Sequence, residues 1–310
     1  SVYIADSGNC RIWEVSGGTI TRFAGTASGY CAYLGDGWLA INAALGPVNG
    51  VAVDGGGSVY IADICVIRKV TNGTINRLAG DGNCATGGDG GPLLNASFYW
   101  DSGMSVDDTG NLFVAESYGC VIRKISGSTI TTIAGTGKCS YGGDGGPASQ
   151  STLSAPFGVT WYGGSTYIAD SSNCRIRQVT GGTITTVAGN GWCWYGGDNG
   201  DATAANLYTP YGVAVDSESN LFIADYWNCR VRKVSSGTIT TFAGNGTCAY
   251  GGDNGPATSA NLGHLDAVAA AGNDIYIADS WNCRVRKVTG GTITTVAGDG
   301  SCTYGGDTGP

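Results

Sequence analysis

Twelve cysteines, two in each of six similar segments, are the residues whose type and spacing point most directly to chemistry. In five segments the two cysteines stand 19 residues apart, and in the first they stand 21 apart. One cysteine opens a strand of a predicted hairpin and the other follows the second strand, so both return to the same end, within reach of a disulfide. Buried free thiols are the alternative, and zinc is disfavoured because the chain has no CxxC motif and one histidine. The predicted disulfides are Cys10–Cys31, Cys65–Cys84, Cys120–Cys139, Cys174–Cys193, Cys229–Cys248 and Cys283–Cys302.

His264 is the only histidine, so any histidine-dependent catalytic set must include it. No G-x-S-x-G motif lies near it, and every cysteine already has a predicted structural partner. We therefore predict that the chain is not an enzyme and that His264 is a residue of a surface loop.

An aspartate between glycines recurs in the loop C-x-Y-G-G-D-x-G and its weaker copies. A carboxylate in such a loop could bind Ca²⁺ together with main-chain carbonyls. Each loop has only one carboxylate, however, so hydrogen bonds to main-chain N–H groups in a tight turn are the favoured role. We predict no cofactor, with Asp144, Asp198 and Asp253 kept as weak calcium candidates. The full set is Asp36, Asp89, Asp144, Asp198, Asp253 and Asp307.

Most basic residues recur at fixed places of the repeat, a few residues after an acidic one such as Asp170 or Asp225. This pattern predicts ion pairs between strands of one repeat. With 16 basic against 24 acidic residues, the net charge of −8 also disfavours a nucleic-acid surface. Thirteen basic residues follow the pattern: Arg11, Arg68, Lys69, Arg123, Lys124, Arg175, Arg177, Arg230, Arg232, Lys233, Arg284, Arg286 and Lys287.

Tryptophans and tyrosines cluster in the loops beside the cysteines. Exposed aromatic rings in loops could stack on sugars or anchor a protein interface. Covering the disulfides and the glycine-rich loops is the alternative role. The candidate interface residues are Trp192, Trp194, Tyr195, Tyr226, Trp227 and Trp281, and Trp38 and Trp100 also lie outside the predicted strands. N-glycosylation sequons stand in turns or loops at Asn72, Asn95 and Asn245.

The elements that must position these residues repeat every 53 to 57 residues, in six copies of four short predicted strands. Gly-Gly or Asn-Gly turns between strands indicate hairpins. Ile176 and Val179 are three residues apart, as are Ile184 and Val187, so a bulge or a twisted strand end is expected there. Six four-stranded units that cannot bury their faces alone predict a β-propeller. The repeats span residues 2–58, 59–111, 112–165, 166–220, 221–274 and 275–310 of a single domain, 1–310.

The motifs IAD–(loop)–N-C-R-[IV]-R-K-V, TITTVAG, GGDGGPA and P-x-G-V-A-V-D resemble the NHL-repeat family over essentially the whole chain. The histidine of the family signature is mostly cysteine here, as in Asn173-Cys174-Arg175. The resemblance implies a six-bladed all-β propeller of four-stranded antiparallel blades. It does not imply one function, because the family includes RNA binders, sensor domains, adhesion modules and a lyase.

Disulfides at this density indicate an oxidising compartment, so we expect a secreted, cell-surface or periplasmic protein. No apolar run approaches the ~18 residues that a membrane span needs. We predict a non-catalytic binding or structural scaffold for a protein or glycan partner, without nucleic-acid binding or membrane insertion. A propeller hydrolase or lactonase with axial Ca²⁺, and a sensing or adhesion domain of a larger surface protein, are the alternatives.

The phase of the repeat leaves the first blade without an innermost strand, so the edge of residues 2–6 is expected to be unpaired. A longer chain could supply the strand, a second copy could donate it, or an open array could stack onward. Strand exchange between copies would build a filament if it did not close.

Overall fold

The computed structural model of the protein describes residues 1–99 and 101–303. Trp100 and Asp307, two of the residues considered above, lie outside the described residues. The chain is an all-β, six-bladed propeller with antiparallel blades. No helix in residues 1–99 and 101–303 has the length and apolar character needed to cross a membrane.

The main strands of each blade pair with their neighbours along the chain, so the connections between these strands within a blade are local. Among the residues that the structure describes, three blades have four strands, the first has three, and the last two gain a two-residue strand from the preceding loop. The strands of the first three blades are β1 (Val2–Asp6), β2 (Arg11–Ser16), β3 (Thr19–Ala24), β4 (Val48–Val53), β5 (Val59–Asp63), β6 (Val66–Thr71), β7 (Thr74–Ala79), β8 (Asp101–Val106), β9 (Leu112–Glu116), β10 (Val121–Ser126) and β11 (Thr129–Ala134).

The strands of the last three blades are β12 (Pro156–Tyr162), β13 (Ser165–Asp170), β14 (Arg175–Thr180), β15 (Thr183–Ala188), β16 (Gly200–Asp201), β17 (Pro210–Val215), β18 (Leu221–Asp225), β19 (Arg230–Ser235), β20 (Thr238–Ala243), β21 (Gly255–Pro256), β22 (Ala267–Ala271), β23 (Asp274–Asp279), β24 (Arg284–Thr289) and β25 (Thr292–Ala297). Single turns of 3-10 helix occupy the loops at Ser7–Asn9, Ala40–Asn42, Leu93–Asn95, Ala148–Gln150, Ser171–Asn173, Tyr226–Asn228, Ala257–Ser259 and Ser280–Asn282.

The predicted bulge is confirmed on the outer hairpin of each blade where that pairing is described. In the fourth blade, Ile176 pairs with Ala188 but Arg177 pairs with Thr186, so Val187 is the extra residue. The same shift recurs between β2 and β3, β6 and β7, β19 and β20, and β24 and β25. The extra residue lies within the strand where the three-residue spacing of Ile184 and Val187 conflicted with a period of two.

The described part of the chain divides into two compact units, which we call unit 1 (residues 1–133) and unit 2 (residues 134–302). In each unit the core lies between successive blades, for example where Ile12 and Leu45 pack with Ile61 in unit 1. Unit 2 has the equivalent layers around Ile223 and Ile277. Burying the faces of neighbouring blades against each other is what stabilises a repeat that cannot fold alone.

Glycines in the innermost strands allow neighbouring blades to approach at main-chain distance. A Cβ on Gly158 would lie 2.3 Å from the carbonyl oxygen of Tyr211, and one on Gly212 would lie 2.7 Å from Cα of Ala267. No side chain fits at these positions, so the glycine of the G-V-A-V-D motif is required by packing.

The first blade differs from the others at its inner edge. Among residues 1–99 and 101–303, β1 pairs with β2 and with no other strand. All five residues of β1 are only partly buried, whereas the equivalent strands β5, β9 and β18 are fully buried and β13 and β23 are buried in part.

Candidate functional site

Five arginines on the third strand of their blades are completely buried, and each is held by two carboxylates. In the fifth blade, Nη1 of Arg232 lies 3.4 Å from Asp225 of the same blade. Its Nη2 lies 2.6 Å from Asp198, which belongs to the glycine-rich loop of the preceding repeat. We call this group the arginine clamp. It recurs at Arg68, Arg123, Arg177 and Arg286, with loop partners Asp36, Asp89, Asp144 and Asp253.

The loop aspartate of the clamp has polar partners on both oxygens. Oδ2 of Asp198 accepts hydrogen bonds from the Thr241 hydroxyl at 2.6 Å and the Tyr195 hydroxyl at 2.9 Å. Burial raises the pKa of Asp198, but these hydrogen bonds and the charge of Arg232 outweigh burial and lower it overall. The calcium candidates Asp144, Asp198 and Asp253 are therefore engaged by arginine, threonine and tyrosine, and they join one repeat to the next.

The pKa of the strand carboxylate, Asp225, is raised, whereas that of the loop carboxylate is lowered. Burial raises the pKa of Asp225 to about 6, although the Asn228 amide, the Tyr208 N–H and Arg232 each lower it in part. The predicted ion pairs within a repeat are confirmed for the five buried arginines. The sequence analysis did not predict the ion pair with the loop aspartate, although that aspartate precedes its arginine by a nearly constant 32 to 34 residues.

Three arginines that directly follow the first cysteine of their blade, Arg175, Arg230 and Arg284, make other contacts in place of the predicted ion pair. Arg230 lies 3.9 Å from the centre of the Tyr195 ring, and its guanidinium donates to the carbonyl oxygens of Asn228 and Asn245. Arg175 and Arg284 repeat this arrangement on Tyr141 and Tyr250. Tyr195 is thus part of the clamp, since its ring supports Arg230 and its hydroxyl binds Asp198, and 41% of it remains exposed.

All twelve cysteines are disulfide-bonded, one disulfide in each blade, as predicted. The Cα atoms of the five pairs that the structure describes in detail lie 5.2 to 5.5 Å apart. In four blades the first cysteine ends a 3-10 turn in the left-handed conformation. This turn directs the first cysteine toward the long loop that carries the second.

The prediction that His264 is a surface residue is wrong, because only 5% of it is exposed. Its ring stacks on Tyr226 at 4.8 Å and meets the edges of Trp227 at 4.4 Å and Trp281 at 4.1 Å. Nδ1 lies 3.1 Å from the carbonyl oxygen of Tyr226 and 3.8 Å from Sγ of Cys229. The sequence could not indicate this burial, because the covering tryptophans come from two different repeats.

His264, Cys229 and Cys248 bring three atoms of metal-ligand type within 4.8 Å of one another. The two sulfur atoms are bonded to each other, however, so neither is a thiolate that could bind zinc. The contact is between an imidazole and a disulfide.

Five large aromatic side chains of unit 2 form an exposed surface that we call the aromatic ridge: Trp192, Trp194, Tyr208, Trp227 and Trp281. Trp192 and Trp194 are 64% and 54% exposed and stack on each other at 5.7 Å. Trp227 lies 6.2 Å from Tyr208 and 6.5 Å from Trp281, between ring centres. The Asn228 amide donates to the carbonyl oxygen of Trp194, which connects the two groups of rings.

The ridge contains four of the six predicted interface aromatics, together with Tyr208, which the sequence analysis did not select. Tyr226 is excluded because its ring is half-buried between His264 and Tyr211. Trp38 is 58% exposed in unit 1, away from these residues in the sequence.

The chain is similar in sequence to proteins of one group and in fold to several solved structures. No family model matches the chain. It is 29% identical to mouse teneurin-3 over 276 residues and 25% identical to chicken teneurin-1 over 279, covering 76% of this chain and 10% of each relative. A chain of a nidogen/laminin complex superposes with a TM-score of 0.59 at 15% identity, covering 90% of this chain and 86% of that one. An auxiliary nutrient binding protein of Bacteroides ovatus gives 0.60 at 17%, covering 94% and 68%.

The six blades, the repeated motif and these relatives agree. The chain is an NHL-repeat β-propeller. This propeller spans about a tenth of the length of the teneurins that it matches.

The three sequons of the propeller differ in what their asparagine side chains do. Asn72 and Asn95 are exposed, and their side-chain amides make no hydrogen bond within the described parts of the chain. The amide of Asn245 donates to the Ser259 carbonyl at 3.1 Å and to Asn261 at 2.7 Å. Asn190, which is not in a sequon, makes the same two bonds one repeat earlier. Asn245 therefore holds the loop together, and a glycan on its amide would disrupt that loop.

Proposed function

We propose that this propeller is an extracellular, non-catalytic protein-binding module and that the aromatic ridge is its contact surface. The observation that carries the proposal is the exposure of five large rings, 39% to 64% each, on loops held by disulfides and arginine clamps. Tryptophan and tyrosine are enriched among the residues that contribute most binding energy at protein interfaces. Rings held by a rigid scaffold lose little conformational entropy on binding.

The comparisons support the same class of function. The teneurins share the repeat, and the nidogen/laminin complex is a protein–protein assembly that contains this fold. Six disulfides are typical of proteins from oxidising compartments, which supports a location outside the cytosol.

Charge indicates what kind of partner the ridge would bind. The arginines of unit 2 are already stacked on tyrosines or paired with carboxylates, so they are not free to bind acidic groups. The chain as a whole has a net charge of −8. A partner that presents apolar side chains together with lysine or arginine would bind through contacts with the aromatic faces and through attraction to the negatively charged propeller.

The environment of His264 supports a non-catalytic role. Its ring is enclosed by three aromatic side chains, and a main-chain carbonyl accepts a hydrogen bond from Nδ1. A general base needs access to a substrate proton, which this enclosure does not offer. Screens for esterase, lactonase and glycosidase activity, with and without Ca²⁺, should give no turnover, and calcium-dependent turnover would favour the hydrolase alternative.

The test compares the propeller with ridge variants against a panel of secreted and cell-surface ectodomains and a glycan array. Trp192→Ser and Trp227→Ser should each weaken binding to a protein ligand by roughly thirtyfold, the effect of losing a binding hot spot of about 2 kcal/mol. Trp38→Ser is the matched control, since it removes an equally exposed tryptophan from unit 1. Equal loss in the control would refute the ridge as the contact surface, and binding to glycans alone would refute a protein partner.

Self-association through the inner edge of β1 is the second form of binding that we propose. Within the described residues, β1 pairs on one side with β2, and the main-chain N–H and C=O groups on its other side could form hydrogen bonds with an added strand. Sedimentation velocity over a range of concentrations tests this proposal. A concentration-dependent oligomer that the peptide of residues 210–216 dissociates would support it, and a monomer at every concentration would refute it.

A further inference from the structure

We infer that the Cys229–Cys248 disulfide is a thiol-exchange site, at which an external thiol or dithiol reacts in preference to the other five disulfides. This inference goes beyond the proposed binding function and does not depend on it. Its basis is the contact between Cys229 and His264, the only histidine of the chain.

The tautomer of His264 follows from its partner. A carbonyl oxygen can only accept a hydrogen bond, so Nδ1, at 3.1 Å from the carbonyl of Tyr226, must carry the hydrogen. The same N–H lies 3.8 Å from Sγ of Cys229, within the range of a hydrogen bond to sulfur. An N–H donor at this place would stabilise negative charge on Cys229 if the disulfide opened.

Other disulfides of the propeller have the opposite environment. Sγ of Cys10 lies 3.7 Å from the carbonyl oxygen of Ser7, and Sγ of Cys120 lies 3.6 Å from that of Ser117. A carbonyl dipole repels a thiolate, so these contacts disfavour the charged leaving group that exchange requires.

Exposure determines which sulfur is attacked. Cys229 is completely buried, whereas Cys248 is exposed. An external thiolate therefore bonds to Sγ of Cys248, the disulfide bond breaks, and its electron pair leaves on Sγ of Cys229, beside the imidazole N–H. A second thiol can then displace Cys248 and leave as a disulfide, so the two external thiols lose two electrons and the protein disulfide gains them.

Opening this bond would also affect the neighbouring clamp. The loop that Cys248 anchors carries Tyr250, which supports Arg284, and Asp253, which binds Arg286. Reduction would release one end of that loop from the fifth blade while the ion pair at its other end remains.

The experiment measures all disulfides in one sample of the intact propeller. Folded protein is exposed to limiting dithiothreitol, free thiols are blocked with a light alkylating reagent, and the remaining disulfides are fully reduced and blocked with a heavy one. Peptide mass spectrometry then gives the reduced fraction at each cysteine. We expect Cys229–Cys248 to open roughly five- to tenfold faster than Cys10–Cys31, whose second cysteine is also exposed and whose buried cysteine faces a carbonyl oxygen, because a stabilised leaving thiolate speeds exchange. With glutathione, the mixed disulfide should form on Cys248.

The variant His264→Phe keeps a ring among the aromatic side chains but removes the N–H, so the rate ratio should fall to about one. Trp281→Phe is the control, since it alters the same packing and leaves the N–H in place. Equal rates for the two disulfides in the unmodified protein would overturn the inference without any variant. A ratio that His264→Phe preserves, or that Trp281→Phe abolishes equally, would also overturn it.

Discussion

The arginine clamp predicts that a single loop carboxylate stabilises the contact between successive blades. Asp198→Asn keeps the shape of the side chain but removes the charge that faces Arg232, which is 0% exposed. Removing one partner of a buried ion pair costs about 3 to 5 kcal/mol. Asp198 is 24% exposed and Asp225 remains as a second partner, so we expect a smaller loss of about 2 kcal/mol in the free energy of unfolding.

Thermal unfolding followed by circular dichroism measures this loss. For a domain of 310 residues, about 2 kcal/mol corresponds to a decrease in Tm of roughly 3 °C. The matched control is Asp201→Asn, an exposed aspartate whose side chain bonds only within its own turn, which should change Tm little. Hydrogen exchange should rise locally in Thr238–Ala243, where the Thr241 hydroxyl would bond a neutral amide in place of a carboxylate. If both variants have the same Tm, the clamp does not stabilise the propeller and the reasoning is refuted.

Three further predictions test the electrostatics, the packing and the loop. Burial raises the pKa of Asp225 to about 6, whereas an aspartate of the unfolded chain has a pKa near ~4. Between these pH values the folded protein keeps a proton that the unfolded chain has released, so this group lowers the stability of the fold as the pH rises. Asp225→Asn should flatten that part of the curve of stability against pH. Gly212→Ala should cost about 1 to 3 kcal/mol in urea unfolding, whereas Gly55→Ala, whose Cβ would meet nothing within 4 Å, should be neutral. Asn245→Ala should cost about 1 to 2 kcal/mol and Asn95→Ala almost nothing, and peptide mapping of secreted protein should find no glycan at Asn245.

Local features of the propeller follow from the sequence because they depend on residues close together in the chain. The disulfide pairs could be predicted since each joins the two ends of one hairpin, as with Cys174 and Cys193. The bulge at Val187 follows from a conflict between the spacing of apolar residues and the strand period. The ion pair between Asp170 and Arg177 follows from their facing strands.

Features that depend on contacts between repeats could not be predicted in the same way. The sequence analysis assigned Asp198 to a turn or a calcium site, because nothing in one repeat shows that its loop reaches the next blade. It selected Tyr195 and Tyr226 as interface rings, whereas packing directs one toward Arg230 and places the other beneath His264. Asn245 matched a sequon, but its amide is used inside the loop.

The sequence by itself therefore determined the repeat, its strands, its disulfides and the number of blades. These depend on periodicity and on hairpins, and both are encoded within about 55 residues. Only the tertiary structure decided which polar and aromatic groups are free to bind and which are used to join blades. His264 is the clearest case, since an isolated polar residue in a loop is buried there only because Trp227 and Trp281 come from blades that the fold brings together.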